Sequence, residues 1–195
     1  MQYRPLIIAG PSGVGKGTLI KKLTEGTYPN KFGFSVSYTT RTPRDGEVNG
    51  THYNFVTKEK FEQMIAEDAF IEHCQVHTNF YGTAKSQINQ IQQSKKIPLL
   101  DIDVQGALKF NKAFPDSNFV AILPPSIDSL KERLIGRGTE TEKTLKTRIG
   151  NAQKEMDTIL KESDIFQYRV TNDDLDEASL VLGNLVTVLY NEELK

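Results

Sequence analysis

The chain has 195 residues, with 24 Lys plus Arg against 25 Asp plus Glu and a formal net charge of −1. That balance excludes a global field drawing the chain to nucleic acid or an anionic membrane, so any anion site must be built locally. One cysteine, Cys74, excludes an internal disulfide and fits a cytoplasmic setting, and neither a signal-peptide layout nor an apolar run of the roughly 20 residues needed to span a bilayer is present.

In chain order, "PLIIA" (5–9) reads as a buried strand, followed by "GPSGVGKGT" (10–18) and a helix from about Lys16 to Leu23, before Gly26. Strand, glycine-rich turn and helix start form the context of a phosphate loop. Gly10, Gly13 and Gly15 let backbone N–H groups around Val14 converge on phosphate oxygens. The helix N-terminus adds partial positive charge and Lys16 a full one. The pattern G-x-x-x-x-G-K-[ST] asks for a hydroxyl directly after the lysine. Here Gly17 takes that place, and the nearest hydroxyl is Thr18, rotated about 100° further round the helix. From there Thr18 can reach a phosphate or a metal-bound water.

Residues 34–81 turn strand-like and polar, with turn signals at "PRDG" and "VNG" and a helix over 58–66. Arg41 and Arg44, just after Ser37, suit the dianionic phosphate of a monophosphate, since each guanidinium forks onto two oxygens. A solvated basic turn is the alternative for such a pair. Tyr53 and Tyr81 each offer a hydroxyl to the same phosphate. Glu72, in "FIEH", is a carboxylate able to accept two adjacent N–H donors, or else faces water as an ordinary strand residue.

A helix over 84–93 leads to the strand "IPLLDID" (97–103), where a period of two puts Asp101 and Asp103 on one side, about 7 Å apart. Acids ending a buried parallel strand lie where ligands bind, although two acids at an exposed strand end would look the same. A strand over 118–124 and a helix over 126–135 follow. Lys131–Arg148 is arginine-rich and broken by "GRGTETE", where Thr139 and Glu142 form a capping-box pattern starting a helix to Lys161. Arg133 and Arg137 are one helical turn apart, and Arg148 lies on the next helix. A strand over 166–170 and a helix over 174–189 close the pattern. The fold class is therefore α/β: a P-loop parallel sheet core flanked by helices, with an inserted mixed or antiparallel β subdomain and a helical lid.

The phosphate loop, "FSVSYTTRTPRDGEVNGTHYNF", "FIEH", "NFYGT", "LLDIDVQG", "ILPPS", "RLIGRGTET" and "VTNDDLD" occur together and in order. In this the chain resembles the guanylate kinase family of ATP:GMP phosphotransferases, from about Leu6 to Asp176. The resemblance implies one domain over 1–195. Its core would comprise 1–33, 84–130 and 150–195, its GMP-binding subdomain 34–83 and its lid 131–149. Ser37, Arg41, Arg44, Tyr53 and Tyr81 match residues holding the GMP phosphate; Glu72, Thr83 and Asp103 match those reading guanine. Asp101 matches the acid near Mg²⁺ and the transferring phosphate. Arg133, Arg137 and Arg148 match lid arginines around ATP, and Asn172 matches a residue beside adenine. The expectation is a cytoplasmic monomer that uses Mg²⁺, ATP and GMP and binds neither nucleic acid nor membrane. Two alternatives exist: a non-catalytic guanylate-kinase-like protein-binding module, or a kinase of another small phosphorylated acceptor. Retention of Lys16, Arg41, Arg44, Asp101 and Arg148 weighs against the first, and Glu72 with Thr83 and Asp103 against the second.

Overall fold

The computed structural model describes residues 3–76, 78–136 and 142–194. In chain order it forms β1 (Leu6–Ala9), α1 (Lys16–Lys21), a π-helical segment (Lys22–Thr27), β2 (Phe32–Phe34), β3 (Tyr38–Thr39) and β4 (Asn54–Phe55). Next come α2 (Lys58–Ala66), β5 (Phe70–Val76), β6 (Asn79–Ala84), α3 (Lys85–Gln93), β7 (Ile97–Ile102) and α4 (Val104–Ala113). The chain continues through β8 (Asn118–Leu123), α5 (Ile127–Gly136), α6 (Glu142–Lys161), β9 (Tyr168–Thr171) and α7 (Leu175–Leu189).

The larger sheet has the order β2-β7-β1-β8-β9 and is parallel throughout. Its central strands are apolar on both faces, so helices must cover both. Leu6 and Ile8 join a core with Leu99, Val120, Leu182 and Val186, while Ile7 and Ala9 face Leu100, Ala107, Phe110 and Phe166 on the other side. From β1 the chain crosses to β2 on one flank, and from β7 it crosses to β8 on the other. This reversal of direction opens a crevice beyond the carboxyl ends of β1 and β7.

The smaller sheet has the order β4-β3-β6-β5. β6 pairs antiparallel with β3 and β5, but β3 and β4 run parallel, so this sheet is mixed. Its own core is small: Phe61 of α2 lies stacked on Phe70 and Phe80, with Met64 and Ala84 completing it.

Some elements depart from the periodicity. The helix expected to run to Leu23 stops being α-helical after Lys21 and widens to π form, with Tyr28 N–H bonded to Leu23 O at 2.8 Å. Thr24 Oγ1 donates back to the Ile20 carbonyl at 2.9 Å, and Gly26 relaxes the following turn; both loosen the regular ladder. The last strand is shifted to 168–171, because Phe166 caps the turn after α6 and packs in the core. The capping box at Thr139 falls outside the described residues.

Candidate active site

The glycine-rich loop leaves β1 at the crevice. Gly10 has φ +147°, and a Cβ there would sit 2.2 Å from the Ile122 carbonyl oxygen, so only glycine lets the loop pass β8 this closely. Gly15 caps α1 at φ +97°, a left-handed conformation that L side chains rarely adopt. The turn so formed aims the first N–H groups of α1 into the crevice. Lys16 Nζ folds back over it, donating to Gly10 O at 2.8 Å and Pro11 O at 3.4 Å, with Asp101 Oδ1 at 3.7 Å. A Cβ at Gly17 would meet nothing within 4 Å, so no protein atom claims the space that the usual hydroxyl would occupy.

A cleft of about 540 Å³ runs from this loop to the smaller sheet. Gly13, Gly15, Lys16, Gly17 and Thr18 line one end; Ser37, Arg41, Arg44, Tyr53 and Tyr81 line the other. Glu72, Asp101, Asp103 and Arg148 also open onto it. The structure thus gathers most of the expected residues around one space.

Four of the expected residues sit elsewhere. Thr83 is fully buried opposite Glu72 in the β5–β6 register, and its hydroxyl donates to Glu72 Oε1 at 2.7 Å. Asn172 is buried behind the loop, where Nδ2 donates to the Val14 carbonyl at 2.8 Å. Arg133 turns to the Asp173 carbonyl at 3.1 Å and does not line the cleft. Val14 is fully buried under the loop. Arg137 lies outside the described residues.

Two acids meet at the start of α4. Asp103 is not the last residue of β7 but the N-cap of α4, accepting the Gly106 N–H at 2.6 Å through Oδ1. Its Oδ2 accepts the Cys74 thiol at 3.3 Å. The backbone there is still extended, so Asp101 and Asp103 both face the cleft, as a period of two requires. Gly106 keeps α4 close to Glu72, because a Cβ there would stand 3.1 Å from Glu72 Oε2.

Burial sets the charge states. It pushes the Glu72 carboxyl up to about 7 against the lowering effect of the Thr83 hydroxyl, and the neighbouring Asp103 charge adds to the rise. Burial likewise raises Asp101, although 30% of its side chain faces the cleft, and Lys16 opposes that rise. Tyr53 is pushed up to about 12, chiefly by burial, so its hydroxyl remains a donor at neutral pH.

Sequence reasoning passed over two acids. Glu155 lines the cleft on the same face of α6 as Arg148 and Asn151, and burial pushes its carboxyl up to about 7 against the field of Lys16. The spacing i, i+3, i+7 carried that signal. Glu47 also lines the cleft and binds Arg41 through both carboxylate oxygens, at 2.9 and 2.8 Å.

Among the described residues, no group of three or more His, Cys, Asp or Glu is placed to hold a metal ion. A hard cation bound mainly by substrate phosphates and water needs only a carboxylate and a few oxygen donors from the protein. Asp101 and the Thr18 hydroxyl, both on the cleft, are such a donor set. No helix among the described residues is long and apolar enough to cross a membrane.

A family model described as guanylate kinase matches residues 2–188. Guanylate kinase of Clostridium perfringens (strain SM101) is 47% identical over 173 residues, covering 89% of this chain and 77% of that protein. Guanylate kinase of Sus scrofa is 42% identical over 192 residues, covering 98% of this chain and 94% of its own. The crystal structure of guanylate kinase from Anaplasma phagocytophilum superposes with a TM-score of 0.74 at 28% identity, over 100% of this chain and 88% of that one. A phosphate loop and a second, acid-and-arginine-lined sheet facing each other across one cleft agree with these likenesses, and the chain belongs to the guanylate kinase family.

Proposed function

We propose that the chain transfers the γ-phosphoryl group of ATP to GMP, giving ADP and GDP, by direct in-line displacement. A phosphate oxygen of GMP forms a bond to the γ-phosphorus as the bond to the ADP oxygen breaks, so no covalent enzyme intermediate is required. The observation that carries this reading is the single cleft joining the Lys16 loop to the Glu72–Asp103 pair and the Arg41–Arg44 turn.

Each end of the cleft has a distinct task. The loop amides and Lys16 would hold the ATP phosphates and stabilise charge on the transferring oxygens. Ser37, Arg41, Arg44, Tyr53 and Tyr81 would hold the GMP phosphate. Glu72 would accept guanine N1–H and the 2-amino group, with Asp103 beside it. Adenine offers neither donor, and leaving a buried carboxylate unpaired discriminates by on the order of 10⁴. Thr83 aims Glu72 in this reading, and Asn172 supports the loop from behind. Arg148 would bring cationic charge from α6, with Arg137 and Arg133 from the segment before it.

Mg²⁺, carried in with ATP, would neutralise phosphate charge. Asp101 and Thr18 would hold it through water. The reading divides the chain into a core, a GMP-binding unit over 34–83 and a lid over 131–149. It describes a cytoplasmic monomer acting on small nucleotides; the single cysteine fits a reducing compartment, and the near-zero net charge gives no pull toward nucleic acid or membrane.

The test is to incubate the protein with Mg-ATP and each nucleoside monophosphate in turn, following ADP release. Turnover with GMP should exceed that with AMP by about a thousandfold or more. No turnover with GMP, or equal rates with AMP, overturns the reading.

A further inference from the structure

Arg41 is held on three sides. Its Nη1 donates to Glu47 Oε2 at 2.9 Å and to the Thr42 carbonyl at 2.7 Å, and its Nη2 donates to Glu47 Oε1 at 2.8 Å. The rings of Tyr53, 5.4 Å from Cζ, and Phe55, 5.6 Å away, pack side by side against it, their centroids 5.8 Å apart. A guanidinium has five N–H donors in one rigid plane. Three are committed to Glu47 and Thr42, and the Tyr81 hydroxyl meets the guanidinium as well; Nε–H and the second Nη2–H are the pair outside the grip of Glu47. Those two are parallel and lie on one edge, the pair that can fork onto two oxygens of a phosphate.

Glu47 also shapes the turn around this arginine. Its Oε2 accepts the Arg44 N–H at 2.7 Å, and its own N–H donates to the Arg44 carbonyl at 3.0 Å. One carboxylate therefore fixes the backbone that carries Arg44 and the fork of Arg41. Both partners are largely shielded, with 13% and 17% of their side chains exposed. The Glu47 carboxyl is held below the usual range, first by its hydrogen bond to Arg41, and the Arg41 guanidinium is raised by the same bond.

We infer that Glu47 is a positioning residue for the acceptor phosphate: it grips the terminal edge of Arg41 so that the Nε/Nη2 edge stays presented to the cleft. This rests on the proposed GMP reading. Two opposed effects decide its sign. A negative charge near the site repels the dianionic phosphate. Against that, orienting a long arginine before the ligand arrives removes an ordering cost of up to about 2 kcal/mol for a rotamer-rich side chain. The geometry favours the second effect, because carboxylate and phosphate use different edges and the phosphate need not displace Glu47.

The test is steady-state kinetics on the full chain with Glu47→Gln, Arg41→Met and the double variant, after the wild-type chain has been shown to phosphorylate GMP. Failure at that first step sinks the reading beneath, not this inference. Glu47→Gln should raise KM for GMP about tenfold, with kcat and KM for ATP within about twofold. The inhibition constant of guanosine, which lacks the phosphate, should not move. In the Arg41→Met background the Glu47→Gln change should add nothing. An unchanged or lowered KM for GMP would mark Glu47 as bystander or competitor and overturn the inference. So would an equal loss of guanosine binding, a parallel rise in KM for ATP, or a full Glu47→Gln effect without Arg41. Glu47→Asp, read by the same guanosine comparison, keeps the test open should the glutamine variant fold poorly; it too must leave guanosine binding unmoved.

Discussion

At the scale of single residues, Glu72 makes the sharpest prediction. Its carboxyl titrates near 7 rather than near 4.5 because it is buried, and guanine can be accepted only by the ionised form. From pH 8 to pH 6 the ionised fraction falls about tenfold, so the inhibition constant of guanosine should rise about tenfold over that interval. Guanosine is the right probe, since the phosphate of GMP titrates in the same range. Glu72→Gln should flatten the profile and abolish GMP use while ATP binding survives. For folding the sign runs the other way: the raised carboxyl favours the protonated native state, so its contribution is fullest below about 4.5 and is lost as pH rises toward about 7. Lys16 belongs to the other end of the cleft. Lys16→Met should cut kcat by on the order of 10³ and leave GMP affinity nearly unchanged, read by turnover and by GMP titration separately. The acids and arginines on the cleft were legible as residue types in a pattern, but their partners were not. Thr83 faces Glu72 rather than the cleft because of a register shift between Phe70 and Glu72 that no periodicity announces. Glu47 reaches Arg41 only because the turn between them closes, with Gly46 at φ +81°.

Among elements, the two sheets differ in how deeply they are secured. β1, β7 and β8 lie between two large clusters of buried side chains, whereas β3–β6 rest on only four buried residues, Phe61 among them. The smaller sheet should open locally at lower cost. Amide exchange should therefore be faster in β3–β6 than in β1 or β8, and GMP should slow the former far more than the latter. Phe61→Ala removes the ring on which Phe70 and Phe80 stack, at a cost of about 3–5 kcal/mol. That variant should raise KM for GMP several-fold while KM for ATP holds. The alternation of buried strands with helices made the larger sheet readable, because a doubly covered parallel strand leaves a continuous apolar signature. The short β3 and β4 leave almost none, and their parallel pairing depends on hydrogen bonds that Asn54 N–H donates to Ser37 O and Val56 N–H to Thr39 O, which sequence spacing does not encode.

For the whole molecule, what matters is how distant parts of the chain complete one another. The Val14 carbonyl in the phosphate loop is satisfied by Asn172, 158 positions away, just beyond β9 at the edge of the sheet. Asn172→Ala would leave that buried oxygen without its partner, costing about 1–3 kcal/mol. The melting temperature of the nucleotide-free protein should fall by roughly 3–8 °C, and a role confined to adenine contact would not produce that shift. A matching consequence concerns synthesis. The loop leaves the ribosome well before Asn172, yet the side chain that fixes its shape is added only after all five strands of the larger sheet have been made. A nascent chain halted before β9 would own every loop residue and still lack the loop's support. Shaping of the loop therefore waits on a residue from the last stretch of the fold, and a chain cut short before Asn172 should bind ATP poorly.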